Sequence, residues 1–144
     1  EGVVSPAELS LIKRAMTFSD KTTKDILVPR EKVDALDIND TFEAQYRKVS
    51  QSSHTRLLVV GDNFTTVAGF IRMQDLLTKK MEGFTINNIL RPILEFSDSV
   101  KIDRAFQTMK DRKIYISAIY NNIGEWLGII TITDIIEQIV GEVD

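Results

Sequence analysis

Thr131 and Asp134 stand where an apolar run, Gly128-Ile129-Ile130, gives way to an amphipathic one. A threonine closing a strand and an aspartate in the next helical turn can converge on one ligand. An ionised aspartate accepts hydrogen bonds from both hydroxyls of a ribose. A helix start favours a carboxylate, and its unpaired backbone N–H groups suit a phosphate, to which Thr131 would add a hydroxyl donor. The same residue types also cap helices. Read in isolation, capping by Asp134 or Thr133 is the more economical account.

An earlier copy of the pattern changes that balance. Gly69-Phe70-Ile71-Arg72-Met73-Gln74-Asp75-Leu76-Leu77 matches Gly128-Ile129-Ile130-Thr131-Ile132-Thr133-Asp134-Ile135-Ile136, with glycines and aspartates both 59 positions apart. Upstream, Asp25-Ile26-Leu27-Val28-Pro29 matches Asn88-Ile89-Leu90-Arg91-Pro92 at a spacing of 63. The second copy is thus four residues shorter between proline and glycine, a deletion that a loop absorbs cheaply. The first copy keeps the aspartate, Asp75, but carries Arg72 in place of threonine. That arginine can grip phosphate with its planar fork, fill a cleft, or lie on the surface as a solvated charge.

Each copy needs the same elements to position these residues. An apolar stretch ends at Pro29 or Pro92, which stops a helix and leaves the preceding residue extended. A helix follows. In the first copy it is expected to begin near Asp40, with Glu43 completing a capping box and Phe42, Tyr46 and Val49 on one face. In the second it is expected near Ser97 to Ser99, with Ile102, Phe106 and Met109 in line. A hairpin comes next: Leu57–Val60 and Val67–Ile71 around Gly61-Asp62-Asn63, then Ile116–Tyr120 and Trp126–Ile130 around Asn121-Asn122-Ile123-Gly124. A closing helix should start near Asp75 or Asp134. Residues 5 to 20 read as an extra leading helix, capped by Ser5 with Pro6 and Glu8 in its first turn and Leu9, Ile12 and Met16 on one face. Gly141 reads as a helix C-cap, and the stop three residues later reads as a cut inside a longer chain. The expected class is α+β: two β-α-β-β-α units about a pseudo-twofold axis, since one unit alone would leave an apolar sheet face exposed. The boundaries are 1–21 for the connector helix, 22–84 for the first motif and 85–144 for the second.

Composition narrows the chemistry. Of 144 residues, 43% are hydrophobic and 27% charged, as in ordinary soluble domains. No apolar run approaches the roughly 20 residues that span a bilayer, and the polar start lacks the pattern of a signal peptide. Cysteine is absent, which removes thiol nucleophiles and Cys-based metal sites and fits a reducing compartment. One histidine, His54, leaves little for a His-rich metal site or a Ser-His-Asp triad. A net charge of −3 argues against nucleic acid, while a small anion needs only local donors. No catalytic or metal-ligating constellation stands out.

Repeated units ending in this Gly-apolar-apolar-Thr-x-x-Asp pattern resemble CBS motifs. Asp25–Arg30, Ser53-His54-Thr55-Arg56-Leu57-Leu58-Val59 and above all Gly128–Glu142 resemble one branch, the CorC/HlyC hemolysin-like proteins and the related cyclin-M magnesium transport mediators. The resemblance covers about residues 22 to 140. It implies a tandem pair that binds ATP, ADP or AMP in the cleft between its motifs, with Mg²⁺ on the phosphates as a further option. It implies dimerisation through the helices, and attachment to a membrane domain outside this chain, with this part on the cytoplasmic side. The leading helix resembles the connector that enters such pairs.

By the same resemblance, Ile93 and Leu94 after the proline, with Ile116 and Ser117 of the hairpin, would form the adenine slot. For each alone, core packing is the plainer role. Arg56 falls where the branch also has arginine, and phosphate contact weighs evenly there against a surface charge. Arg30 has a weaker case. His54 reads as a surface or satisfied residue, Trp126 as packing or interface, and Lys79-Lys80 as a solvated helix face. Within the repeat, Thr131 and Asp134 point to nucleotide binding, with Arg72 and Asp75 as a weaker second half-site. The expected function is a non-catalytic regulatory module of an ion-transport protein. The alternative is a structural dimerisation module whose nucleotide site is empty.

Overall fold

Pro6, with its fixed φ and no amide to lose, opens α1 (Pro6–Thr17). Ser5 Oγ accepts the Glu8 N–H at 3.1 Å, and Glu8 Oε1 accepts the Ser5 N–H at 3.4 Å. This is the capping box expected from the sequence. The structure is a computed structural model describing residues 5–17, 20–61, 63–78 and 85–143. The side chain of Met16, Asp62 of the first turn and the Lys79-Lys80 pair lie outside the described residues.

After α1 come α2 (Thr23–Ile26), β1 (Val28–Pro29), β2 (Ala35–Asp37), α3 (Phe42–Gln51), β3 (Arg56–Gly61), β4 (Thr66–Arg72) and α4 (Met73–Leu77). The second copy supplies β5 (Leu94–Ser97), α5 (Ile102–Arg112), β6 (Ile116–Tyr120), β7 (Trp126–Thr131) and α6 (Ile132–Val143). The β-α-β-β-α order therefore appears twice after a leading helix.

Several boundaries move. Thr41, not Asp40, caps α3, its hydroxyl accepting the Ala44 N–H at 3.2 Å. α5 starts at Ile102 rather than near Ser97 to Ser99, because Ser97 closes β5 and its hydroxyl pairs with that of Ser99 at 3.0 Å in the turn. α4 and α6 begin two residues before Asp75 and Asp134. Gly141 lies inside α6 instead of ending it.

The chain packs as two compact units, Lys32–Ile93 and the pair of segments Glu1–Glu31 with Leu94–Asp144. The repeat boundary at 84/85 divides the sequence differently from the packing. In the first unit, β2 runs parallel to β3 and β3 antiparallel to β4. Leu36, Val49, Leu57, Val59, Ile71 and Leu76 form its core, joined by Ile86 from the start of the second repeat. In the other unit the sheet order is β1-β7-β6-β5. Its core holds Ile102, Phe106, Met109, Ile119, Ile130, Ile135 and Ile139, with Leu9 and Ile12 of α1, Ile26 of α2 and Leu27 just after it packed against it. Trp126 is buried, and its indole N–H donates to the Gly128 carbonyl at 2.8 Å, which makes it a packing residue.

Each unit thus borrows the opening segment of the other repeat, at matching places. Val28 pairs with Ile129 and Arg91 pairs with Phe70. A Cβ on Gly128 would collide with the Val28 carbonyl oxygen, and one on Gly69 with that of Arg91. The repeated glycine is a crossing point where only hydrogen leaves room for a second backbone.

Ahead of β3, Asp34 Oδ2 accepts the Ser52 hydroxyl at 2.9 Å and meets His54 Nδ1 at 2.8 Å. His54 is therefore both exposed and satisfied. These contacts, His54 first and Ser52 second, hold the Asp34 carboxyl below its ordinary value of 3.8. A carboxyl with a depressed folded pKa contributes stability above the unfolded value and loses it as pH falls through the folded one. The urea midpoint is expected to fall on acidification below about pH 4, with a shallower slope in Asp34→Asn. Identical slopes in the two proteins would show that this cluster does not couple to folding.

Candidate functional site

The end of β7 and the start of α6 carry the strongest candidates. Ile116 is the cross-strand partner of Thr131, and Leu94 is the partner of Ser117. Register therefore brings Thr131, Ile116, Ser117 and Leu94 to one end of the sheet. α6 starts there because Thr131 and Asp134 form a reciprocal box. The Thr131 N–H donates to Asp134 Oδ2 at 2.9 Å, and the Asp134 N–H donates to Thr131 Oγ1 at 3.1 Å. The Ile132 N–H is taken by the Tyr115 carbonyl at 3.0 Å.

This arrangement joins the two readings that the sequence left opposed. Thr131 is the cap and Asp134 occupies the third helical position, so capping is real. It consumes only half of each side chain. Thr131 uses its oxygen as acceptor and keeps its own O–H to donate, while Asp134 Oδ1 takes no hydrogen bond among the described residues. Both residues are half-buried. A hydroxyl donor and a charged acceptor stand together at the positive end of a 12-residue helix.

The neighbours are less open. Ser117 is fully buried and its hydroxyl donates to the Ile130 carbonyl at 3.0 Å, so its side chain is committed within the sheet. Ile116 is buried, and Leu94 is half-buried against the core. Ile93 closes the other compact unit.

That other unit also holds Arg56, Arg72 and Asp75. Arg56 and Arg72 are direct cross-strand partners at the end of β3 and β4. Arg72 precedes α4 without any side-chain cap bond. The hydroxyl that Thr131 supplies is missing here, and Asp75 turns to a different partner. Its Oδ2 lies 3.3 Å from Nη2 of Arg91. Arg91 was not among the sequence candidates. The signal was its place in Leu90-Arg91-Pro92 opposite Leu27-Val28-Pro29, the one charged substitution in an apolar stretch.

Among the described residues no group of three acidic, histidine or cysteine side chains could hold a metal ion, and no helix is long and apolar enough to cross a membrane. No protein-family model matches the chain. Among curated proteins, the UPF0053 protein YrkA of Bacillus subtilis is 26% identical over 99% of this chain and 34% of its own length. The magnesium and cobalt efflux protein CorC of Escherichia coli is 26% identical over 93% of this chain and 47% of its own. The chain thus spans a third to a half of these relatives.

Among solved structures, the CBS domain of a putative transporter from Clostridium difficile superposes with a TM-score of 0.78 at 30% identity, covering 88% of this chain and 98% of that one. The CBS domain of a bacterial CNNM/CorC family Mg²⁺ transporter in complex with ATP gives a TM-score of 0.81 at 21% identity, covering 94% and 99%. A CBS-domain pair with bound AMP from Klebsiella pneumoniae gives 0.74 at 23%, covering 84% and 99%. Matched at 30% identity along nearly the whole of a solved CBS domain, the chain belongs to the CBS-domain family, and the CorC efflux proteins are among its curated relatives.

Proposed function

We propose that this chain is the regulatory, non-catalytic module of a larger CorC-type ion-transport protein, and that it binds an adenine nucleotide through Thr131 and Asp134. The observation that carries the reading is the half-used capping box. One carboxylate oxygen and one hydroxyl proton remain available at a helix start, and a ribose and its phosphate present the matching partners. The ATP and AMP complexes of proteins with this fold support the ligand class. In this reading the apolar side chains of Leu94 and Ile116 contact adenine, while Ser117 contributes backbone only. Mg²⁺ enters on the phosphate oxygens. The module sits on the cytosolic side of a membrane domain and self-associates through its helices.

A ligand that binds only the folded state adds about 2.7 kcal/mol of stability at 100 times its dissociation constant. For a chain of this size that raises the melting temperature by roughly 8 °C. Thermal unfolding followed by Trp126 fluorescence, with ATP, ADP or AMP and with or without Mg²⁺, is expected to show such a rise. No shift with any of them at millimolar concentration would favour the second reading, a dimerisation module with an empty site. The engagement of Asp75 by Arg91 already favours that second reading for the first half-site.

A further inference from the structure

We infer that Arg91 is the specificity-determining residue that closes the Asp75 position to a sugar-phosphate, confining the chain to one nucleotide held through Asp134. The inference rests on the proposed nucleotide reading. Asp75 and Asp134 occupy equivalent places in their units. Each lies six residues beyond a glycine crossed by the opening segment of the other repeat, Gly69 under Arg91 and Gly128 under Val28. The crossing residue is what differs. The Val28 side chain has no polar atom to give, and Asp134 Oδ1 stays open among the described residues. Arg91 places its guanidinium 3.3 Å from the Asp75 carboxylate.

Arg91 is also held at its root. Its N–H donates to the Phe70 carbonyl at 2.8 Å, and its carbonyl accepts the Phe70 N–H at 3.0 Å. The side chain can swing only from a fixed backbone. Nε is buried without a hydrogen-bond partner among the described residues, a desolvation cost that the contact with Asp75 offsets. A ribose would have to displace this cation from the carboxylate it needs, and Arg72 supplies no hydroxyl in compensation.

The test is the number of ATP molecules bound per chain, measured by calorimetry on the intact protein, R72T and R72T/R91V. The last restores the threonine and valine of the other unit. The wild type and R72T are expected to bind one, and R72T/R91V two. In that double variant Asp134→Asn should then remove one of the two. If valine prevents folding, judged by circular dichroism, R72T/R91L keeps most of the stem volume and makes the same comparison. Two sites in the wild type, or no added site between R72T and the folded double variant, would overturn the role of Arg91. The nucleotide reading fails separately, by an absence of binding in the wild type. The gain from R72T to R72T/R91V, from none to one, would still support Arg91.

Discussion

Alanine at Gly128 is expected to destabilise the protein by about 3 kcal/mol, at the upper end of the cost of overpacking a filled site, and to lower its melting temperature by roughly 10 °C. The new methyl group would meet the Val28 carbonyl oxygen and lie 2.9 Å from Leu27 Cδ1 and from the Val28 carbonyl carbon. Two of those atoms are backbone, in a strand tied to β7, so no rotamer change relieves the collision. β1 would have to lift off β7, and Leu27 would leave the core it packs against. Gly69→Ala should behave alike, since the Arg91 carbonyl oxygen and Leu90 occupy the space there. Gly141→Ala is the internal control. Nothing lies within 4 Å of its added carbon, and within α6 alanine should add about 0.5–1 kcal/mol. Equal melting temperatures for the wild type and the Gly128 variant would show that the crossing is not as close as drawn.

The second large effect is on binding. Asp134→Asn is expected to weaken ATP roughly thirtyfold, from the loss of a hydrogen bond to a charged acceptor worth about 1.5–3 kcal/mol. The fold should hold, because an asparagine oxygen can still accept the Thr131 N–H and keep the box closed. Asp134→Ala removes the ligand acceptor and the box together, so it should lose about 1 kcal/mol of stability besides affinity. Comparing the two by calorimetry and by melting separates the roles. If the asparagine variant binds like the wild type, the carboxylate is not the ribose anchor.

The repeat was legible because glycine and aspartate recur at one spacing and hairpins are local. Phe106, Met109 and Ile102 fall on the buried face of α5 as their periodicity requires. Helix starts were less legible where a strong capping residue stood near a weaker true boundary. Lys101, with no side-chain cap bond, opens α5, while Ser97 and Ser99 hold the preceding turn. At Ile132 the apolar run of β7 continues into α6 and hides the change of period. Ser117 entered the adenine slot by resemblance, and the sequence could not show that the Ile130 carbonyl already takes its proton. Arg91 and the exchange of opening segments escaped for a related reason. β1 is two residues long, and its partner lies about a hundred positions downstream, beyond the reach of any local pattern.

The exchange also sets an order of assembly. Lys32–Ile93 is one uninterrupted stretch, so a growing polypeptide holds every strand and the crossing segment of that body once Ile93 has emerged. The flanking body must wait: Val28 and Pro29, made early, have no edge to join until Gly128 and Ile129 leave the ribosome. Throughout that interval the apolar side chains of α1 and α2 lack their eventual cover. The segment from Leu94 onward therefore bears on the survival of α1 and α2 as much as on ligand affinity.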